Sequence, residues 1–439
     1  MNAPVRASRQ RAADSLNGFS LIQALFGRRS RRFGAGMSIP DGPLAYASQR
    51  PPQPLDQLER SLLILAGAGV SGFNLGMPYT EAGATDTLCN YPVRPVGRTY
   101  PSGAATYGSE MLVADDSGVF ITRLRDVNPK ALQEYTHEDD LFELAARVQG
   151  NLVKIGERRL DVPGTYPHIS AHNRWVANQP GTTLFVPVGD QVDSLFNRLW
   201  LAAGDGIPVH DGSGRLLGAP KPLIDAGVLR PERALSLANL EASSRSSLNS
   251  ELTISAYNVH LMLGAIGLGG WMFSGINPHS LLGGFADQGV HGFGLRFGPG
   301  PQGPAPLGLD GHFEPLIPPY VSDMHHAVQR FAARKFGQDG VFDPLRPGPY
   351  RDANVRTRVD QYTPAFVAYL GSVAQDVYDQ HGRFPLTQPA VAIATYTQAQ
   401  HIDTVYYDRF FGPDAYLETH ARHDEIWHGA APPHAPDQP

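Results

Sequence analysis

The chain has 439 residues, of which 42% are hydrophobic and 18% charged, so it can bury the core of one large domain or of two ordinary ones. A net charge of −6 argues against non-specific nucleic-acid binding as the main activity. The 47 glycines and 38 prolines predict many loops and irregular connections.

The N-terminus differs from the rest of the chain in charge. The first 32 residues hold seven arginines and a single acidic residue, Asp14. Asp14, Asn17 and Gly18 interrupt the apolar residues, so the segment lacks the apolar stretch of a secretory signal. We expect a flexible basic arm over residues 1–19. The single cysteine, Cys89, cannot form an intrachain disulfide, which favours a cytoplasmic protein.

A short helix is predicted around residues 20–26, and an arginine cluster follows it. Residues Arg28–Arg32 place four guanidiniums around the hydroxyl of Ser30. The planar fork of arginine suits two-point contact with a phosphate, and the serine adds a short hydrogen bond. Basic clusters are common, however, so on composition alone a solvated arm or a patch for an acidic partner is the better explanation.

The next helix is predicted over residues 55–68, where Leu58, Leu62 and Leu65 recur at helical spacing. It ends in the glycine-rich segment 67–72. Glycines let the backbone approach a planar ligand, and the side chains of Ser71 and Asn74 can bond ring heteroatoms or ribityl hydroxyls. Taken alone, an ordinary helix cap and turn explains this segment better.

The middle of the chain mixes strands and helices. Residues 110–126 predict a β-hairpin, residues 141–155 a helix, residues 182–188 a buried strand and residues 191–203 another helix. The order shows no regular alternation of strand and helix. An α+β fold is therefore favoured over a doubly wound parallel sheet.

One or two helices are predicted over residues 237–267, and they enter an uncharged stretch at residues 253–286. A membrane span needs about 20 predominantly apolar residues. Asn258 and His260 precede the apolar run and residues 277–279 close it, so a buried core helix is favoured. Its glycines permit close helix packing, and Ser274–Gly275 offers backbone N–H groups in a tight bend.

Beyond this point a short strand is predicted over residues 292–297, with helices over residues 322–336 and 362–381. The final histidines form another constellation: His420, His423, Asp424 and His428, with His401 and Asp403 upstream. Imidazole and carboxylate groups together can bind zinc or iron. The proline-rich end, residues 431–439, is expected to be disordered, so no metal site is assigned and the cluster stays an alternative. His325 and His326 are expected in packing or at the surface.

In their order and separation, the three glycine- and arginine-containing motifs resemble the nitroreductase-like family of FMN enzymes. The match covers roughly residues 20–300. The matching residues, in chain order, are Arg28, Arg29, Ser30, Arg32 and Phe33, then Ala66, Ala68, Ser71 and Asn74, then Asn258, Gly267–Gly269 and Ser274–Gly275.

The resemblance implies a role for each motif. Arg28, Arg29, Ser30 and Arg32 would hold the FMN phosphate. The ribityl chain and ring would contact the second and third motifs through Ser71, Gly72, Asn74, Asn258 and Ser274, and the Gly275 N–H would face flavin N5. The family usually supplies one more cation to the phosphate near its C-terminus, for which Arg296 is the one candidate. The resemblance identifies no catalytic side chain.

At the level of the whole chain, the resemblance implies an α+β sandwich with enlarged insertions. A flavin-binding domain would span residues 20–320 and a helical extension residues 321–439. The expected protein is a homodimer that transfers hydride or electrons to or from a small organic substrate such as a nitroaromatic or a quinone. NAD(P)H is the candidate electron donor, and no nucleic-acid or membrane partner is expected. Two alternatives stay open: the same fold without reductase turnover, and a metal-dependent enzyme that uses the C-terminal histidines.

Overall fold

The computed structural model describes residues 3–77, 90–128, 130, 141–359 and 361–429. Cys89 and the proline-rich end, residues 431–439, lie outside these ranges. The helices are α1 (Ala3–Gly18), α2 (Leu21–Phe26), α3 (Gln57–Ala68), α4 (Leu141–Gly150), α5 (Gln191–Gly204), α6 (Lys221–Asp225), α7 (Leu237–Ile266), α8 (Pro278–Leu282), α9 (Met324–Phe336), α10 (Pro364–His381), α11 (Thr404–Phe410) and α12 (Glu418–Ala421).

The strands are short except in the central sheet. They are β1 (Ser38–Ile39), β2 (Tyr46–Ala47), β3 (Val70–Phe73), β4 (Val96–Arg98), β5 (Ser109–Asp115), β6 (Gly118–Thr122), β7 (Leu152–Gly156), β8 (Thr183–Asp190), β9 (Val209–His210), β10 (Leu235–Ser236), β11 (Gly269–Phe273), β12 (Arg296–Gly298), β13 (Ala305–Gly308), β14 (Val391–Ile393) and β15 (Tyr396–Gln400). A π-helical turn, Asp424–His428, follows α12.

A seven-stranded antiparallel sheet forms the centre of the molecule, in the order β11-β15-β8-β5-β6-β7, with β14 also paired to β8. Every residue of β5, β6, β8 and β15 is buried. Successive side chains of a strand point to opposite faces. Accordingly, Leu112 and Val186 belong to one hydrophobic core, whereas Val113 and Phe185 belong to a second core on the other face.

The 30-residue helix α7 packs on the second of these faces beside α3. Ser236 caps its N-terminus, and Gly267 ends it in a left-handed conformation with a φ of 86°. A third hydrophobic core joins α5, α9 and α10, and it contains Trp200 and Phe331. The sheet and α7 therefore hold the segments on which the sequence motifs lie.

Local capping signals explain where the first helices begin. Ser20 and Gln23 form a capping box at α2, and Asp56 and Glu59 form another at α3. The predicted helices at residues 20–26, 55–68 and 191–203, the hairpin at 110–126 and the strand at 182–188 are confirmed within a few residues. The mixture of helices and antiparallel sheet is an α+β arrangement.

Three expectations differ from the structure. Residues 3–18, assigned to a flexible arm, form α1, whose Ala12 is buried against the core that contains Ile426 and Trp427. The helix expected over residues 141–155 ends at Gly150, because residues 152–156 pair as β7 with the edge of β6.

The segment 321–439, expected to be a helical extension, contributes strands β14 and β15 to the central sheet. Residues 391–400 are rich in β-branched and aromatic side chains and are largely buried, which suits a sheet interior.

The uncharged stretch divides into the end of α7, strand β11 and α8. None of the described helices is long and apolar enough to cross a membrane.

Candidate functional site

The arginine cluster lies between α2 and β1, against the first residues of β11. Arg31 forms an antiparallel bridge with Gly270, and the Gly270 N–H donates to the Arg31 carbonyl at 2.9 Å. The side-chain amide of Gln400, at the end of β15, donates to the carbonyls of Arg31 and Arg32, each at 3.0 Å. The sheet therefore fixes the backbone of this segment.

Arg31 points into the protein. Its guanidinium donates to the carbonyls of Ala415 and Gly27, at 2.9 and 3.1 Å. Burial lowers the pKa of Arg31 to about 10, because its contacts are carbonyl oxygens rather than a carboxylate. Arg31 thus ties the segment to the chain's C-terminal part and is not available to a ligand.

Arg28, Arg29 and Ser30 are exposed on the outer side of the segment. The Arg29 guanidinium donates to the carbonyls of Phe26 and Arg28, both at 3.0 Å. The Arg29 carbonyl in turn contacts Nε2 of the buried His260 on α7, at 3.2 Å. Burial lowers the pKa of His260, and the charges of Arg28 and Arg31 lower it further, so positive charge is concentrated here.

Arg32 packs on two indole rings. Its guanidinium lies 5.2 Å from the ring centre of Trp271 on β11 and 5.9 Å from that of Trp175. A cation–π contact uses the face of the guanidinium and leaves the N–H groups at its edge for other partners. Trp271 itself stacks on Phe273 at 3.8 Å between ring centres, which holds the indole ring of Trp271 in place.

The second motif occupies β3 and the residues after it. Ser71 Oγ donates to the Arg98 carbonyl at 3.2 Å, and Asn74 Nδ2 donates to the Arg94 carbonyl at 2.8 Å. Gly72, with a φ of 129°, sits at an irregularity in the pairing of β3 with β4. Both polar side chains therefore stabilise this two-stranded ribbon, as the cap-and-turn interpretation expects.

The first two motifs lie on opposite sides of α7. Asn258 Nδ2 donates to the carbonyl of Thr99, just after β4, at 3.0 Å. His260, which contacts the arginine segment, is two positions further along and thus about 200° around the helix. Within one copy of the chain, Ser71 and Asn74 therefore do not meet Arg28–Ser30.

The third motif is split along β11. Gly267–Gly269 lies beside the arginine segment, whereas Ser274 and Gly275 follow the far end of the strand, about 16 Å from Gly270 at the usual rise per residue. The Gly275 carbonyl accepts from the Ser170 N–H at 3.1 Å. A Cβ built on Gly275 would lie 2.0 Å from Asn173 Nδ2, so the chain's own loop covers the turn that the resemblance opens to a flavin ring.

Arg296, the candidate for an extra phosphate ligand, is paired elsewhere. Its Nε donates to Asp310 Oδ1 at 3.0 Å, and a second guanidinium nitrogen contacts the other carboxylate oxygen. This two-point ion pair on the β12–β13 hairpin neutralises its charge. His326 is exposed and contacts Ser322, as expected for a surface residue.

The residues that sequence reasoning missed are the supports of the arginine segment: His260, Trp271, Trp175 and Gln400. They contact it across sequence separations of more than a hundred residues. Trp271 and His260 carried a signal, because both lie between Asn258 and Gly275, in the motif that was already singled out.

No family model matches the chain, and no curated protein matches it. Among solved structures, the chain is similar to the crystal structure of a putative nitroreductase from Ralstonia eutropha JMP134. The two are 14% identical, the match covers 59% of this chain and 71% of that chain, and the TM-score is 0.24. So distant a likeness carries no argument about activity, which must rest on the residues themselves.

Proposed function

We propose that this protein is an FMN-dependent oxidoreductase that transfers hydride or electrons to or from a small organic substrate. We further propose that two copies of the chain assemble to complete each flavin site. NAD(P)H is the electron donor that we would test first.

The observation that carries the proposal is the exposed tip of the arginine segment. Arg28, Arg29 and Ser30 present two guanidiniums and a hydroxyl on one exposed stretch of the chain. Arg29 donates to carbonyl oxygens of its own segment, and within the described residues neither arginine forms a salt bridge. Such a group of donors suits a phosphate dianion, and the backbone fixed by Gly270 and Gln400 keeps it in position.

Arg32 extends this positive surface towards the sheet. Its guanidinium lies within cation–π distance of Trp271, so part of its side-chain freedom is already lost before an anion binds. The fit to FMN is therefore good at the phosphate end. It is poor at Gly275, which is covered by Asn173 in a single copy of the chain.

A second copy would supply what one copy lacks. Ser71 and Asn74 lie across α7 from Arg28–Ser30 in the same chain, so the second and first motifs can face one ligand only if they come from different copies. Helix α2, which precedes the arginines, has no buried residue. Leu21 and Phe26 are 69% and 77% exposed, which provides an apolar surface for such an interface.

Bound FMN would supply the hydride and electron chemistry, and the protein's part is to bind and orient it. The arginine segment would hold the phosphate and maintain positive charge near the cofactor, which favours binding of the more negative reduced form. No side-chain acid or base is assigned to the reaction.

The test is FMN binding by the full-length protein, measured by quenching of flavin fluorescence. We expect the wild type to bind about one FMN per chain. The double variant Arg28→Ala/Arg29→Ala should bind at least about 100-fold more weakly, since each charge-assisted hydrogen bond contributes roughly 1.5–3 kcal/mol. Both side chains are exposed, so the variant should fold normally.

The matched control is Arg351→Ala, which removes another exposed arginine and should leave FMN affinity unchanged. Failure of the wild-type protein to bind added FMN would overturn the flavin proposal altogether. Wild-type binding with undiminished affinity in the double variant would instead place the phosphate elsewhere. NADH or NADPH oxidation with a panel of nitroaromatic and quinone acceptors would then identify the substrate class.

A further inference from the structure

Three histidines converge on one carboxylate at the start of α3. His423 Nε2 lies 2.8 Å from Glu59 Oε1, and His428 Nε2 lies 3.2 Å from the same oxygen. His401 Nε2 lies 3.4 Å from Glu59 Oε2. The histidines come from the residue after β15 and from the last described turn of the chain, so the cluster joins segments far apart in sequence.

The cluster is buried. The side chains of Glu59, His401 and His423 are 0%, 3% and 6% exposed, and His428 is 30% exposed. A buried carboxylate needs a positive partner. Imidazole nitrogens of the three histidines face the two oxygens of the Glu59 carboxylate.

Hydrogen bonding alone does not account well for the arrangement. His423 Nδ1 lies 2.9 Å from the carbonyl oxygen of Ile266, which can only accept, so this nitrogen carries a proton. If Nε2 also donated to Glu59, His423 would be a buried imidazolium. His401 Nε2 is buried and faces Glu59, but it forms no hydrogen bond within the described residues.

We propose that Glu59, His401, His423 and His428 bind one divalent transition-metal ion, and that Zn²⁺ is the ion that fits best. A metal replaces the missing positive charge and accepts the Nε2 lone pairs of three neutral histidines. Imidazole and carboxylate are ligands that zinc takes in proteins.

The ligand atoms of Glu59, His401 and His423 already lie close together, and His428 Nε2 approaches the same carboxylate. Zinc binds histidine nitrogen and carboxylate oxygen at about 2.0–2.1 Å, so the ligands of a tetrahedral site lie about 3.4 Å apart. His423 Nε2 and His428 Nε2 lie 2.8 and 3.2 Å from Glu59 Oε1 and need little adjustment. His401 Nε2 lies 3.4 Å from the other oxygen, Oε2, and has to turn towards Oε1. The ligand atoms of Glu59, His401 and His423 all lie within 4.8 Å of one another.

The surrounding contacts orient these ligands. The Asp56 N–H donates to Glu59 Oε2 at 2.7 Å, which leaves Oε1 for the metal. The Ile266 carbonyl fixes His423 as the Nδ1–H tautomer, with Nε2 free to ligate. A histidine whose other nitrogen donates to a carbonyl is the usual arrangement at a protein metal site.

A π-helical turn brings His423 and His428 together. In such a turn the backbone bonds i to i+5, so residues five apart become neighbours, and such turns are frequent at functional sites. The proposed ligands differ from the constellation seen in the sequence. His420 contacts the Leu417 N–H, Asp424 contacts Arg50, and Asp403 caps α11, so the proposed set leaves these three out and adds Glu59, which the sequence did not indicate.

Four protein ligands make a closed site, which is typical of a structural metal. The ion would fasten the C-terminal turn to the start of α3 and to the end of β15. Through Ile266 it also supports the end of α7, next to the proposed flavin site. The site is distinct from the flavin proposal, and each can fail without the other.

The experiment uses full-length protein without a polyhistidine tag, produced in zinc-supplemented medium. Elemental analysis should find about one zinc per chain. After removal by a chelator, titration with Co²⁺ should give one equivalent of binding and the intense visible absorption of tetrahedral cobalt. Both measurements are independent of FMN content.

Two variants test the ligands. Glu59→Gln keeps a side chain that completes the α3 capping box, and His428→Gln alters the most exposed ligand, so both should fold. We expect each to weaken Zn²⁺ binding at least about 100-fold in competition with a chromophoric chelator, since even outer contacts change affinity 10–100-fold. The control is His381→Gln, which removes an exposed histidine at the end of α10 and should keep full affinity.

The proposal is overturned if wild-type protein contains no stoichiometric metal and binds neither Zn²⁺ nor Co²⁺ on titration. It is equally overturned if Glu59→Gln and His428→Gln, confirmed as folded by circular dichroism, retain wild-type affinity.

Discussion

Two buried carboxylates show how strongly neighbouring charges decide the pKa of a residue in this protein. Asp193 lies 2.7 Å from Arg94 and 2.6 Å from Arg334. Burial alone would raise the pKa of Asp193, but these ion pairs outweigh burial and hold it below its usual value. Glu251 on α7 contacts only the hydroxyl of Ser102 among its close hydrogen-bond partners in the described chain, and burial raises its pKa to about 7.

This contrast predicts a pH-dependent loss of stability caused by Glu251. The pKa of Glu251 in the folded state lies above the unfolded value of 4.5. The stability that protonated Glu251 contributes is therefore fully present below pH 4.5 and is lost as the pH rises to about 7. We expect Glu251→Gln, which does not ionise, to remove up to about 3 kcal/mol of this decline, at 1.36 kcal/mol per pKa unit. Urea unfolding at pH 5, 7 and 8.5 measures it.

The quantity to compare is the change of the free energy of unfolding with pH, because the substitution also changes a buried contact and so shifts the free energy at every pH. Parallel stability profiles for wild type and Glu251→Gln would contradict the prediction. Glu418→Gln, at an exposed position on α12, serves as the control and should follow the wild type.

Among the elements, the end of α7 packs closely against the C-terminal segment. Gly267 ends the helix with a φ of 86°, and a Cβ there would lie 2.1 Å from the carbonyl oxygen of Thr419. Gly382 ends α10 in the same conformation, with a φ of 64°, but nothing lies within 4 Å of its Cβ position. A comparison of the two glycines therefore distinguishes the cost of the left-handed conformation from the cost of a clash between a new Cβ and a neighbouring backbone.

Replacing each with alanine should give unequal losses of stability. Gly382→Ala should cost about 1 kcal/mol, the price of a left-handed residue with a side chain. Gly267→Ala should cost at least about 3 kcal/mol, because the backbone at Thr419 must also move. Chemical unfolding measures the loss of stability in each variant. Equal losses would show that the Thr419 backbone does not lie against the end of α7 as described.

For the whole molecule, the proposed second copy makes the most direct prediction. Phe26→Glu places a charge on the exposed face of α2 and should convert a dimer into a monomer in analytical ultracentrifugation. FMN affinity should fall with it, since each site would need both copies. Leu345→Glu alters a side chain that is 90% exposed far along the chain and should change neither property.

A mixing experiment checks the same point without disturbing α2. Arg28→Ala/Arg29→Ala and Asn74→Ala should each bind FMN weakly alone. Co-expressed, they would form mixed dimers in which one of two sites is intact, which restores about a quarter of all sites. No recovery, with dimers present, would mean that Asn74 and the arginines do not share a site.

Sequence patterns predicted the elements whose signals are local. The capping boxes at Ser20 and Asp56, the turn of the 110–126 hairpin and the apolar spacing of α5 all lie within a few neighbouring residues. The patterns failed where pairing joins distant segments. Strands β14 and β15 resemble any buried strand, and nothing near them indicates that they join β8 in the central sheet.

The same reason limits what the sequence shows of the two sites. The arginine cluster was visible, but its supports on α7, β11 and β15 were not. The C-terminal histidines were visible too, yet Glu59 precedes His423 by 364 positions. Six histidines and aspartates were candidates, and the two that meet Glu59 from the C-terminal turn do so because the turn is π-helical. The spacing of side chains in the sequence does not indicate a π-helical turn.

The position of β15 sets the timing of folding during synthesis. In the described structure β15 fills the gap between β8 and β11, which are separated by it in the sheet. A ribosome-bound chain that has not yet emerged as far as residue 391 therefore carries two open strand edges, which are ready to pair with other chains. Completion of the sheet has to wait until residues 391–400 have emerged from the ribosome, and until then the open edges favour aggregation.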